Sequence, residues 1–504
     1  MKKTLQVLGI LIAVFCLLFL GVNFFVKSKI NTALKDLEKE NDFSYSAFEV
    51  KVFPAFLALD SLVYKQEDNK FFIEKVKLEN FSYWKYLTKK QIDIKQISIK
   101  NPQIELLKKT EKIKDTSAQK SSSTFEEKIQ IGNINIENAD FTYKEGEIVK
   151  LALHKYNIEL ENITIDQEKL KEKIPFAYED YNIKGGKLTY LLNKLQTLTT
   201  ENIEIKKENA VFKEVKLLPN YTRENYVKVI PHEKDLMSLD LKELKINDYK
   251  IHLDAVQDQF LVRNIEMDEV NFKIYRDKTI KDDPNKKKMY SAMLRDLPFG
   301  LSVDSLQLNH INLTYEEVQE KTGKTGKVFF TNMNVDIKNL TNIGMEKEDF
   351  PKTLVDINCH FMGRAPLHTI WDFKVNDPAD HFRIRGTSSN IPPEVINSFA
   401  DPAFNIHLKG EKIDALNFDF YGDKRTSQGK FHMVYDDLKV EVMKKGNDQE
   451  KNKVLSFIAN IAMKHQNQSN DEVIEVLDVE RDPTRSFWNY FWNNIFSGLK
   501  KTLI

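Results

Sequence analysis

Few residues of this 504-residue chain are spaced for chemistry. Gly323-Lys324-Thr325 has the ending of a phosphate-binding loop, in which backbone N–H groups and a lysine cradle phosphate oxygens. The upstream glycine that such a loop needs is Val318, and no strand-to-helix pattern surrounds it, so the triplet reads as a hairpin tip. Asp377, Asp380 and His381, with His360 and His368 nearby in sequence, offer oxygen and imidazole donors, but their spacing matches no recognised metal site. There is no nucleophile elbow, zinc-protease helix or dinucleotide glycine motif, and ten scattered histidines supply no triad. The chain is therefore expected not to be an enzyme and to use no metal or cofactor. Its 75 basic and 75 acidic residues cancel and are spread throughout, so nucleic acid is not an expected partner. Cys16 lies inside an apolar run, which leaves Cys16 and Cys359 unsuited to a disulfide framework.

What the sequence does carry is a ten-residue pattern with apolar residues at offsets 0, 2, 5, 7 and 9. Three stretches fit at every position: Ile134, Ile136, Ala139, Phe141, Tyr143; Leu244, Ile246, Tyr249, Ile251, Leu253; and Leu306, Leu308, Ile311, Leu313, Tyr315. Two more, beginning at Ile97 and Tyr181, fit except in the middle, where Pro102 and Gly186 stand. Within each half the apolar residues alternate, so one face of a strand is apolar and the other carries residues such as Asn135, Gln307 and Thr314. The middle step of three reverses that parity and demands a turn or bulge. The inserted pairs are Lys100-Asn101, Glu137-Asn138, Lys184-Gly185, Asn247-Asp248 and Asn309-His310, rich in residues that tolerate left-handed backbone. Irregular spacing between units argues against a strict solenoid and for a long sheet grown from variable hairpins. By pattern alone the apolar face either lines an open groove or fills a closed sandwich core.

Both ends are apolar. Leu5 to Val26 is an almost uninterrupted apolar segment between Lys2, Lys3 and Lys27, Lys29, long enough to span a bilayer. A cleaved signal peptide is the alternative, but no small-x-small site follows, and residues 1–27 read as a transmembrane anchor with the body exported. Ile30, Ala33, Leu34 and Leu37 continue a helical stripe beyond it. At the far end, Ser486 to Ile504 reads as an amphipathic helix with Trp488, Phe491, Trp492, Ile495 and Phe496 on its apolar side and Asn489, Asn493, Ser497 and Lys500 as a narrow polar stripe. That helix has three possible seats: a membrane interface, a partner membrane protein, or the chain's own sheet. Lys108 to Lys128 and Lys281 to Lys288 are polar excursions, and Val454 to Met463 has helical spacing. The expected divisions are an anchor at 1–27, an N-terminal part at 28–110, a polar loop at 111–128, a β-sheet body at 129–450 and a C-terminal cap with its helix at 451–504.

The segment from Tyr86 to Leu106, including Ile92-Asp93-Ile94 and Ile97-Ser98-Ile99-Lys100-Asn101-Pro102, resembles the N-terminal signature of AsmA-like proteins of the diderm bacterial envelope. Val52-Phe53-Pro54 with Leu59, Leu62 and Val63 is similar to that family's preceding element, and Gly410, Phe418, Phe420, Gly429, Tyr435, Leu438 and the aromatic helix are similar to its last region. The resemblance implies a mostly β fold: an N-terminal transmembrane helix, an elongated, U-shaped (taco-like) antiparallel sheet with an apolar groove, and a C-terminal amphipathic helix. It implies phospholipid as cargo, the inner membrane as anchor with the body in the periplasm, and the outer membrane or one of its proteins as a C-terminal partner. Ile134, Ile136, Phe141, Tyr143, Leu306, Leu308, Leu313 and Tyr315 are the expected groove lining. An envelope scaffold or regulator of outer-membrane assembly that moves no lipid is the alternative function.

Overall fold

The computed structural model describes residues 42–51, 55–66, 68–108, 128–253, 257–436, 438–442 and 473–503. The apolar segment Leu5 to Val26, the stripe from Ile30 to Leu37, residues 109–127 of the polar excursion and the spacing at Val454 to Met463 lie outside the described residues. Among the described residues no helix is long and apolar enough to cross a membrane. Strands make up 64% of the described residues, most of them in one large mixed sheet of 20 strands that is not closed. The chain forms two compact units that divide between Glu214 and Val215.

The N-terminal unit holds β1 (Asp42–Ser44), β2 (Ala47–Lys51), β3 (Phe56–Gln66), β4 (Asn69–Phe81), α1 (Tyr83–Lys89), β5 (Gln91–Lys108), β6 (Lys128–Glu145), β7 (Ile148–Ile165), β8 (Asp180–Asn193), β9 (Gln196–Lys206) and the start of β10 (Asn209–Pro219). Both β1 and β2 pair with β3, and antiparallel ladders run from β3 to β5 and from β6 to β9. The C-terminal unit continues with α2 (Arg223–Val229), β11 (Leu236–His252), β12 (Gln259–Asp277), α3 (Tyr290–Arg295), β13 (Gly300–Val318), β14 (Thr325–Thr341), β15 (Thr353–Phe361), β16 (Ala365–Phe373) and β17 (Phe382–Ile391). It ends with α4 (Asn397–Phe404), β18 (Ile406–Lys409), β19 (Lys412–Gly422), β20 (Thr426–Asp436), β21 (Lys439–Val442), β22 (Ile474–Glu480) and α5 (Phe487–Leu503), where β18 and β21 form a separate pair.

The sheet is mixed rather than antiparallel throughout. β5 and β6 run parallel, as do β12 and β13. Parallel neighbours need a long crossover, and the two links are the polar excursions: residues 109–127, and the stretch from Lys278 to Phe299 that contains α3.

The ten-residue units are not hairpins. Each follows one long strand, as Ile134 to Tyr143 lies inside β6, with Leu253 alone falling one residue beyond the end of its strand, and the middle step is a kink in a continuous strand. Asn101, Asn138, Asp248 and His310, the second members of four inserted pairs, adopt φ of 48°, 55°, 53° and 52°. Left-handed backbone is costly for most side chains and least so for Asn and Asp, which explains the composition. Neighbouring strands take the extra residue at the same level: Val76 pairs with Ile99 before the step, and Ile73 with Pro102 after it. Register therefore survives, and a crease crosses the strands through Ser61, Asn101, Asn138, Lys155 and Asn202. Asparagine amides hold it, since Asn138 Nδ2 donates to Asn101 Oδ1 at 2.7 Å and Asn157 Oδ1 accepts from the Asn138 N–H at 2.9 Å. A second crease passes through Asn80 and Asn162, where Gly132 leaves room for the Lys95 carbonyl that a Cβ would meet at 2.6 Å.

A β-branched residue cannot hold left-handed backbone without strain, so Asn138→Val is expected to destabilise the N-terminal unit by about 1–3 kcal/mol while Asn138→Gly costs less. Trp84 is the tryptophan of that unit, and the urea midpoint of its fluorescence checks the ranking.

Candidate apolar binding face

Because the creases preserve both parity and register, apolar residues form rows that cross the strands. One row runs Leu57, Leu78, Ile97, Ile134, Leu160 and Tyr181, and the next Leu59, Val76, Ile99, Ile136, Ile158, Ile183 and Ile205. Beyond the crease the face resumes with Phe71, Ile104, Phe141, Leu153 and Leu188, then Leu106, Tyr143, Leu151, Tyr190 and Leu198. Ile134, Ile136, Phe141 and Tyr143 thus share one face, as the spacing predicts. In the C-terminal unit Leu306 stands between Ile265 and Ile337, Leu308 between Met267 and Val335, Leu313 between Phe272 and Phe330, and Tyr315 between Ile274 and Val328.

The rows are covered at one end and uncovered at the other. In the N-terminal unit Leu57, Leu59, Ile92, Ile94 and Ile129 are fully buried. Along the rows of Leu57 and Leu59, Leu160, Ile158 and Ile183 are half-buried, and beyond the crease Leu188 is half-buried while Tyr190 and Leu192 are 40% and 49% exposed. In the C-terminal unit Trp371, Ile384, Phe420 and Phe431 are buried, whereas Leu306, Leu308, Leu313 and Tyr315 are half-buried. Ile134 is buried; Ile136, Phe141 and Tyr143 are half-buried. The other face of the sheet carries charge ladders such as Lys100 with Glu137 at 3.3 Å and Lys144 with Glu105 at 3.0 Å. The Lys144 hydrogen bond holds the Glu105 carboxyl below its ordinary range.

Two tyrosines complicate the apolar face. Tyr315 donates its hydroxyl to the Glu317 carboxylate, beside a cluster in which Arg276 binds Asp235 at 2.7 and 2.8 Å and Glu233 at 3.3 Å, so the row of Tyr315 is bordered by a charged one. Tyr156 lies in the crease, where its ring covers Gly185 so closely that a Cβ there would meet Cε1 at 2.4 Å. Its hydroxyl is buried without a hydrogen-bond partner among the described residues, and burial pushes its pKa up to about 12. Sequence spacing does not single out Tyr156; the Gly185-Gly186 pair is the one sign that a neighbour needs room.

Helix α5 sits on its own sheet. Phe487, Tyr490 and Ile495 are buried with Trp371, Phe382, Phe418 and Phe420, and Trp371 stacks on Phe487 at 4.8 Å. The Ser427 hydroxyl donates to Asn494 Oδ1 at 2.9 Å, and Gly498 admits Phe431, whose Cγ a Cβ would meet at 2.3 Å. Ile495, expected at a membrane interface, is therefore core; Trp488 and Trp492 remain exposed, with Phe491 and Phe496 half-buried. Arg485 ties the entry of the helix to Glu233 at 3.2 Å and to Asp282.

The residues weighed for catalysis do not converge. Gly323-Lys324-Thr325 lies at the turn from β13 to β14. Asp380 accepts from Arg295 and Ser291 at 2.8 and 2.9 Å, Asp377 contacts His381 Nδ1 at 2.7 Å, and His368 contacts Asp356 at 2.9 Å. No group of three or more His, Cys, Asp or Glu among the described residues is arranged to hold a metal ion. The chain matches no protein-family model, and a search of curated proteins finds no match.

Removing an orphaned buried hydroxyl relieves its desolvation cost, so Tyr156→Phe is expected to stabilise the protein by about 1 kcal/mol in urea melts. The raised folded-state pKa also fixes a sign: this tyrosine's share of stability is full below its unfolded pKa of about 10 and falls as pH rises toward about 12. The Phe variant should lack that alkaline loss.

Proposed function

We propose that this protein is anchored in the bacterial inner membrane and carries phospholipid acyl chains along its apolar sheet face, through the periplasm and toward the outer membrane. The observation that carries the reading is the passage of unbroken apolar rows from buried core into half-exposed strands. A sheet with one apolar face needs a covering layer or an amphiphile on it. A row crossing the seven strands β3 to β9 extends about 29 Å at about 4.8 Å per strand. Half of a bilayer core of about 30 Å gives about 15 Å for one acyl chain, so a row offers room for chains laid end to end. The Lys-flanked segment Leu5 to Val26 supplies the anchor in this reading, and the resemblance to AsmA-like proteins points the same way.

The exposed Trp488 and Trp492 favour a second reading, an envelope scaffold or assembly regulator that docks through α5 and moves no lipid. A photoreactive residue placed in cells at position 308 should capture phospholipid, while one at Gln307, on the opposite face, should not. Leu308→Glu should leave the fold intact and abolish lipid capture at position 313 of the same strand. Unfolding of that variant, through an uncompensated buried charge, would mark position 308 as closed core. Capture of protein alone at both positions would favour the scaffold.

A further inference from the structure

The connector α1 is apolar on two sides. Its inward pair, Tyr83 and Tyr86, packs on the N-terminal core, with Tyr83 edge-on to Phe81 at 5.3 Å. Its outward pair, Trp84 and Leu87, is 76% and 70% exposed, more than any other large hydrophobic residue described. Spaced three apart, these two share a helix face. The helix is held in place: Ser82 Oγ accepts from the Lys85 N–H at 3.4 Å, Lys90 closes the other end in left-handed conformation, and Lys85 pairs with Asp93.

Exposed Lys89 and Lys90 flank the outward face. Gln91 pairs with Lys128 and Ile129 with Ile165, so the segment after β7 emerges at the same rim, and it presents exposed Leu170 and Lys171. An indole and a leucine flanked by Lys89 and Lys90 match the chemistry of a lipid headgroup layer, which takes aromatic rings at its apolar boundary and ammonium groups on its phosphates. The chain also supplies a tether. Residues 1–41 enter this unit at Asp42, and the 27–41 link after the apolar segment can reach up to about 50 Å when extended.

We propose that this rim of the N-terminal unit rests on the surface of an anionic phospholipid bilayer, with Trp84 and Leu87 inserted at headgroup level and Lys89, Lys90 and Lys171 on the phosphates. The inference rests on the anchored reading above and adds to it a membrane-facing rim for the N-terminal unit, next to the closed core of Ile92, Ile94 and Ile129.

The test uses the full chain reconstituted into phosphatidylcholine–phosphatidylglycerol vesicles that contain brominated phosphatidylcholine, a quencher of tryptophan in contact with acyl chains. Wild-type fluorescence should be quenched, and Trp84→Phe should lose the component that Trp84 contributes. Lys89→Glu with Lys90→Glu should lose the same component, and vesicles of phosphatidylcholine alone should reproduce that loss for the wild type. Equal quenching of wild type and Trp84→Phe would overturn the docking. Extraction at alkaline pH reports the anchor separately: release of the wild-type chain would sink the anchored reading together with this inference, whereas retention with unchanged quenching sinks the docking alone.

Discussion

Everything in this sheet depends on the alternation of strand side chains and on what happens when an extra residue interrupts it. A single inserted residue turns every later side chain to the opposite face. Here each strand takes its insertion at the level of its neighbour's, as Lys100 pairs with Glu137 before the step and Gln103 with Asp140 after it. Neighbouring strands therefore stay in register, and because the apolar spacing takes its odd step at the same inserted residue, apolar residues on both sides of the crease keep one face. The local cost is left-handed backbone, which Asn101, Asn138, Asp248 and Asn339 bear more easily than other side chains would. Asparagine also joins neighbouring insertions through its amide, so the crease is stitched rather than merely tolerated.

Among the described residues, that arrangement makes long apolar rows without a layer of helices to cover them. Cover is concentrated at the ends of the rows: a core around Leu57, Leu59, Ile92 and Ile129 in one unit, and α5 packed on Trp371, Phe382 and Phe420 in the other. Between covered and uncovered stretches the residue types hardly change. Ile134 and Ile136 occupy adjacent rows of β6, yet one is buried and the other half-buried. Apolar residues left half in water contribute less to stability than buried ones by up to a few kcal/mol each, and that unspent burial is what an acyl chain would recover. The charge ladders of the opposite face keep that side hydrated.

Much of this was legible in the sequence, and the failures have physical reasons. The offsets placed one crease within the inserted pairs that hold Asn101, Asn138, Asp248 and His310, because few side chains suit left-handed backbone, but they did not mark the crease through Asn80 and Asn162. They could not separate a turn from a kink, since both call for the same residues; what decides is that Ile97 and Ile104, on either side of Asn101, pair with the same strand. Alternation is blind to strand direction, so the parallel steps at β5–β6 and β12–β13 were hidden, although their long polar links satisfied the geometry such steps require. In α5 the stripe of Asn489, Asn493, Ser497 and Lys500 is polar by residue type, but Asn494 and Gly498 on the other side signal a seat on a sheet. An amide there needed a partner, found in Ser427, and a glycine made room for Phe431. Tyr156 was invisible because its isolation arises from tertiary contacts.

The central claim is that the uncovered rows take lipid. Radical footprinting of the full chain, stripped of lipid and then reloaded with phospholipid, measures it residue by residue. The account predicts that Ile136, Leu188 and Tyr190 are labelled in the stripped protein and protected on reloading, while Ile92 stays unlabelled in both states. Labelling of Leu188 and Tyr190 that phospholipid leaves unchanged would contradict it.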